Sequence, residues 1–281
     1  MQIDRKTKMI SLLDSRRVVH GVDFSGARDA GKKVWIARGI IEEDVLLITE
    51  CFQAKDLLDS GRDREQSFKA LREFISKQKD SIFGLDFPFG IPKSLVKEES
   101  WKQFVSSFED IYTTPEEFRR LCKSLSEGKE LKRFTDIEAK TPFSRYNLRL
   151  YRQTYFGIRD VLGPLIKNNR VCALPMQKPL ADRAWVLEIC PASTLRRENL
   201  SLPYKGVGEI KRTARVRILE GIKKTEVLNI KKSALRSKIL EDRGGDALDS
   251  VIAAFATFRA LRNGLPFDRD SPYALEGWVF A

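Results

Sequence analysis

Asp23 and Asp86 each close an apolar run, Val18-Val19-His20-Gly21-Val22 before the first and Ile82-Phe83-Gly84-Leu85 before the second. An ionised carboxylate among Val, Leu and Phe is costly unless it is paired or binds a metal. Asp246 and Asp249 follow Gly244-Gly245 three residues apart, so in a helix that opens there they share one face of the first turn. Four carboxylates are hard oxygen donors suited to Mg²⁺ or Mn²⁺. A single histidine, His20, and dispersed Cys51, Cys122, Cys172 and Cys190 offer no zinc set. Two such ions about 4 Å apart can activate water on one side of a phosphodiester and stabilise the departing oxygen on the other. Each acid also has a plainer reading: Asp23 as a turn residue before Ser25-Gly26, Asp86 as a strand end before Pro88, and Asp246 as a helix N-cap with Asp249 at N3. Those readings do not explain why carboxylates mark the ends of two buried strands and the opening of a packed helix. A shared cation does.

The elements that must position these acids follow from periodicity. Val18 to Phe24 reads as a buried strand. Val34 to Ile41 and Val45 to Phe52, parted by Glu42-Glu43-Asp44, complete a three-stranded antiparallel meander. Phe68, Leu71, Phe74 and Ile75 recur at helical spacing, and Ser81 to Phe87 forms the next strand, stopped by Pro88 and Pro92. A right-handed crossover through that helix lays this strand parallel to the first, so that Asp23 and Asp86 emerge at one carboxyl edge. The alternation of the first strand places His20 off the acidic face, in a structural role. Residues 93–169 are helical and strongly charged, with Trp101, Phe104, Val105 and Phe108 on one apolar face, and read as an insertion. Arg145, Arg149 and Arg152 recur at i, i+4 and i+7, so in a continuous helix they project from one side. There they either grip phosphates, with Tyr146, Tyr151 and Tyr155 as stacking partners for bases, or form a solvated face. Ala184 to Cys190 returns to strand character, and a capped helix runs from Gly244-Gly245-Asp246 to Asn263-Gly264. The expectation is a lead at 1–17 and a single α/β domain at 18–281. Its mixed sheet, an antiparallel meander plus parallel strands, is flanked by helices and carries the helical insertion.

A chain of 281 residues with 42% hydrophobic content can bury a full core. Its net charge of +12 makes polyanions, nucleic acid above all, the favoured partners. Met1 to Arg17 lacks the apolar run of a signal peptide, no segment approaches the ~20 apolar residues of a membrane span, and the cysteines form no disulfide framework. A cytoplasmic location with no membrane partner is the expectation.

The runs HGVDFSGA (His20 to Ala27), GLDFPFGIP (Gly84 to Pro92), LEICPAS (Leu187 to Ser193) and GGDALDSVIAA (Gly244 to Ala254), with PYKG at Pro203 to Gly206 and EGWVF at Glu276 to Phe280, resemble a specific family. It is the set of predicted RNase H-like nucleases grouped as domain of unknown function 429, and the resemblance spans nearly the whole chain from Val18. It implies an RNase H-like fold with the first-strand acid at Asp23, the fourth-strand acid at Asp86 and the C-terminal helical acids at Asp246 and Asp249, a placement that also looks like that of Holliday-junction resolvases. Glu188, in the LEICPAS run, is a further motif carboxylate that either assists catalysis at the metal site or organises its strand. Lys205 of PYKG, with Lys211, Arg212 and Arg215 beyond it, either neutralises a scissile phosphate or coats a helix. The leading expectation is metal-dependent hydrolysis of DNA or RNA. Its competitors are an ATP-dependent phosphotransferase of the sugar-kinase and actin type, to which GVDFSGA is somewhat similar but for which no second phosphate loop is seen, and a noncatalytic nucleic-acid-binding protein.

Overall fold

The structure, a computed structural model, describes residues 16–224, 227–265 and 273–281, so that all but the last two residues of the expected lead lie outside the described residues. Strands β1 (Val18–Asp23), β2 (Trp35–Glu42) and β3 (Val45–Gln53) form the meander, with β2 antiparallel to both neighbours. A single turn, α1 (Ala30–Lys33), lies between β1 and β2, and α2 (Arg64–Lys77) carries the chain from β3 to β4 (Ser81–Leu85), parallel to β1. Asp63 starts α2 by accepting from the Gln66 amide at 2.9 Å, and the face carrying Phe68, Leu71 and Ile75 is buried, as the spacing predicts.

Beyond β4 lie β6 (Ala184–Ile189) and β5 (Val171–Ala173), both parallel to it, while β7 (Leu228–Asn229) lines the far side of β3. The order across the sheet is β5-β6-β4-β1-β2-β3-β7, with β8 (Val279–Phe280) paired to the end of β6. A meander joined through its first strand to a parallel set is the RNase H-like arrangement, as expected.

Between β4 and β5 the chain forms α3 (Trp101–Ile111), α4 (Pro115–Leu125), α5 (Phe134–Glu138), α6 (Tyr151–Phe156) and α7 (Gly163–Lys167), the last two joined by a π-helical turn. Ser100 and Thr114 cap α3 and α4. The continuous helix expected to carry three arginines does not form: Arg145 and Arg149 lie in turns ahead of α6, and Arg152 alone is helical. Asn147 explains the break, because its side-chain oxygen accepts from the Arg149 amide at 2.9 Å, a local turn that competes with helix. After β6 come α8 (Pro191–Arg197), α9 (Glu209–Lys223), α10 (Ser233–Glu241), α11 (Asp246–Arg262) and α12 (Tyr273–Glu276). Among the described residues no helix is long and apolar enough to cross a membrane.

Strand alternation divides the core. Val22, Phe83 and Leu85 face α2 and the insertion, whereas Val19, Ala37, Leu46 and Ile48 face α11. Helix α11 reaches the sheet unusually closely because Gly21 of β1 sits opposite Gly84 of β4. A Cβ on Gly21 would stand 2.1 Å from the Ala254 nitrogen and the Ser250 oxygen, and one on Gly84 would stand 1.9 Å from the Thr257 hydroxyl. Glycine at these two positions therefore sets the distance between strand and helix backbones.

His20 points to the other face, as its parity requires. Its ring stacks on Phe83 at 4.4 Å and meets Phe74 edge-on at 5.3 Å, and neither ring nitrogen has a hydrogen-bond partner. Burial, aided by Arg38, lowers its pKa to about 3. The unfolded chain then binds a proton that the folded chain refuses, so stability is complete above about 6.5 and drains as pH falls toward 3, by up to about 1.4 kcal/mol per pH unit. His20→Phe is expected to flatten that acid limb in urea unfolding measured between those limits. An unchanged limb would assign the pH dependence to other groups.

Candidate metal centre

β1 ends in Asp23, and β4 delivers Asp86 one residue past its end. The Asp86 amide donates to the Val22 carbonyl at 2.9 Å, which continues the parallel ladder and sets the two acids side by side at the carboxyl edge. Both follow the alternation of Gly21 and Gly84, so both belong to the face covered by α11.

Helix α11 starts on Gly245 in the left-handed conformation, φ 80°. The capping role that the spacing allowed for Asp246 and Asp249 is not what they do. Gly245 is the cap residue, and Asp242 accepts from the Ala247 amide at 3.0 Å. Both carboxylates are thereby free to turn to the sheet edge. Ligand oxygens of Asp23, Asp246 and Asp249 all lie within 4.8 Å of one another, with Asp23 and Asp249 buried and Asp246 half-buried. Asp86, also half-buried, stands beside this trio rather than within it.

The acids crowd one another. Burial raises the Asp23 pKa well above the ordinary carboxylate range, and the charges of Asp249 and Asp86 raise it further. Asp86 is pushed up to about 8 by burial and by Asp249, and Asp246 and Asp249 are raised chiefly by burial. The positive charge nearest them is Lys205, whose ammonium lies 2.6 Å from Asp249 Oδ2 and 3.7 Å from Asp246 Oδ1. Burial works against that charge, yet Asp249 and Asp23 outweigh it and raise the lysine pKa. Tyr204 donates its hydroxyl to Asp249 Oδ1, so the two neighbours hold both oxygens of one carboxylate. One ammonium is too little positive charge for four carboxyl groups to ionise together, and hard oxygens gathered so closely fit a Mg²⁺ or Mn²⁺ ion. Tyr204 carried no signal in the sequence beyond its place within PYKG, and Asp242 none beyond its nearness to the paired glycines.

Glu188 is elsewhere. It pairs in register with Leu85, not with Asp86, and that offset of one residue turns it to the opposite face of the sheet. There it meets Arg133, with Glu188 Oε1 2.5 Å from Nη2 and Oε2 2.9 Å from Nη1, and it accepts from the Phe89 amide at 2.9 Å. Arg133 also holds Asp136 at 2.9 Å, and Asp136 holds Arg145; all four side chains are buried. Burial pushes the Asp136 pKa up, but Arg133 and Arg145 bring it well below the usual range. Of the two readings of Glu188, organising its strand is the one with observed contacts, and the geometry gives no support to a catalytic role.

The expected arginine stripe is dispersed. Arg145 is buried on Asp136, Arg149 is exposed with its guanidinium 5.4 Å from the Phe143 ring, and Arg152 pairs with Glu116 at 2.6 Å on the surface. Tyr146, Tyr151 and Tyr155 are core residues rather than stacking platforms; the Tyr146 hydroxyl, for instance, donates to the Lys129 carbonyl at 3.0 Å. The insertion touches the site through Gln153, whose amide donates to the Asp86 carbonyl.

No family model matches the chain, and no curated protein sequence does. Among solved structures it is similar to the yeast mitochondrial Holliday junction resolvase Ydc2, with 13% identity and a TM-score of 0.40 over 92% of this chain and 87% of that one. At that distance, the strand order and the acids of this chain carry the functional reading by themselves.

Proposed function

We propose that the chain is a metal-dependent nuclease that hydrolyses phosphodiester bonds of DNA or RNA, of the kind grouped as domain of unknown function 429. The observation that carries this reading is the meeting of Asp23, Asp246 and Asp249 within 4.8 Å at the carboxyl edge of a sheet with RNase H-like strand order. These three residues, with Asp86 beside them, would hold Mg²⁺ or Mn²⁺. Bound there, a pair of divalent ions supplies Lewis acidity and an acidified water. Asp249 is oriented by Tyr204 and Lys205, which fixes one ligand before any cation arrives. The Lys205 ammonium remains charged at the mouth of the acidic pocket and is placed to receive a phosphate oxygen. The net charge of +12 favours a polyanionic substrate.

The test is incubation with labelled single-stranded, duplex and four-way-junction DNA, and with RNA, in Mg²⁺, Mn²⁺ or EDTA. Products are expected with the metals and none with EDTA. Binding that persists in EDTA with no product under any divalent ion would make the chain a noncatalytic binder. Tight Mg·ATP binding without nucleic-acid affinity would favour the phosphotransferase instead.

A further inference from the structure

We infer that a groove between α5, α8 and the Trp278–Ala281 segment seats a single-stranded stretch of the nucleic acid adjoining the metal centre; the identity of this ligand rests on the nuclease reading. The groove encloses about 430 Å³, and its lining includes Lys140, Arg196, Arg197, Glu138, Ser193 and Trp278. Its place follows from the sheet. Leu85, the residue before Asp86, is in register with Glu188, and Glu188 is in register with Val279. Two strand spacings of about 4.8 Å therefore separate the end of β4 from β8, roughly 10 Å in all. Helix α8 starts at Pro191, immediately after the strand that neighbours Asp86, and carries Arg196 and Arg197 on its last turn. A strand of stacked nucleotides rising about 3.4 Å each spans that interval in about three residues.

The chemistry of the lining fits a polyanion with bases. Three cationic side chains share the lining with one side-chain carboxylate, and that carboxylate, Glu138, already accepts from the Tyr273 hydroxyl. Among the described residues no side-chain carboxylate lies within ion-pair distance of Lys140, Arg196 or Arg197, whereas exposed Arg152 and half-buried Arg212 and Arg236 are paired. Arg196 gives one N–H to the Lys140 carbonyl, and Arg197 gives one to Ala281 at 2.8 Å, contacts that hold the guanidinium groups in place while leaving other donors free. Trp278 is half-buried, its ring backed by Tyr273 at 4.3 Å, and so presents a braced aromatic surface. Cations that track a backbone beside an aromatic platform are how single strands are held without sequence preference.

Trp35, Trp101 and Trp185 are buried, which makes Trp278 the indole that reports on this groove. The full chain is titrated in EDTA with oligodeoxythymidylate of about ten residues, within the usual site size for a single strand. Quenching of tryptophan fluorescence is expected, and Trp278→Leu should remove it. Arg196→Glu with Arg197→Glu should weaken binding at least about 10-fold and flatten the log–log salt slope by about 1.4, the amount two lost phosphate contacts predict. Lys69→Glu with Lys77→Glu, on exposed positions of α2 across the sheet, provides the control for net charge. Quenching that survives in Trp278→Leu, a groove variant no weaker than the control, or affinity equal to that for inorganic phosphate would each overturn the inference. Binding in EDTA is independent of cleavage. Metal-dependent cleavage without quenching would remove the groove and spare the nuclease, and quenching without cleavage under any metal would do the reverse.

Discussion

Asp23→Asn is expected to lower metal-dependent cleavage by at least about 10³-fold, because an amide cannot supply the charge that holds and orients a divalent ion for attack. The same change should raise the melting temperature of the metal-free protein. Asp23 is buried against Asp249 and Asp86, and its amide replacement relieves a repulsion that Lys205 offsets only in part. Mg²⁺ should stabilise the wild type by about 2.7 kcal/mol at a hundredfold excess over Kd and the variant far less. The pH profile gives an independent reading. A carboxyl with a raised pKa keeps in the folded state a proton that the unfolded chain has released. Its contribution is therefore complete below about 3.9 and is lost as pH rises, for Asp86 up to about 8. His20 works in the opposite direction between about 3 and 6.5, so the two oppose each other in mildly acidic solution. Above that range only the acids act, and the metal-free protein should lose stability from about pH 6.5 to 8 unless Mg²⁺ is present. Urea unfolding with and without the ion checks this. Undiminished Mg²⁺-dependent cleavage by Asp23→Asn combined with Asp86→Asn would reject the metal centre outright.

Glu188→Gln is expected to damage folding rather than chemistry. The four buried groups Arg133, Asp136, Glu188 and Arg145 balance two positive charges with two negative ones, and removing one carboxylate strands a guanidinium in the interior. Breaking a buried pair in this way costs about 3–5 kcal/mol. Arg133→Met placed on top of Glu188→Gln should recover part of that loss, which a double-mutant cycle in urea measures. Wild-type stability combined with abolished cleavage in Glu188→Gln would return this residue to the active site.

The backbone arrangement was legible where periodicity was strong. The meander, the α2 crossover, β4, β6 and α11 all follow from apolar spacing and its turn residues, and Asp23 and Asp86 were visible as charges that end buried strands. Register was not legible. Whether Glu188 or its neighbour faces the acids depends on which residue of β6 lies opposite Leu85, a single-step choice that composition does not encode. Turns in the insertion were equally hidden. Arg145, Arg149 and Arg152 have helical spacing, but Asn147 bonds its own backbone and breaks the helix, and Asp136 then draws Arg145 into the core. The capping ambiguity at Asp246 was resolved upstream of the motif, where Gly245 takes the cap position and Asp242 accepts from the Ala247 amide of the first turn.

Gly21 and Gly84 bear on how such a centre can diversify. Because main chain rests on main chain where α11 crosses β1 at Gly21, and Gly84 of β4 leaves room for only the small Thr257 hydroxyl, the separation between Asp23 and Asp249 depends little on the bulk of neighbouring side chains. Loops and the insertion can then change shape, length and charge to suit different polymers while the gap available to an ion stays constant. Two missing methyl groups act as the gauge block of the site.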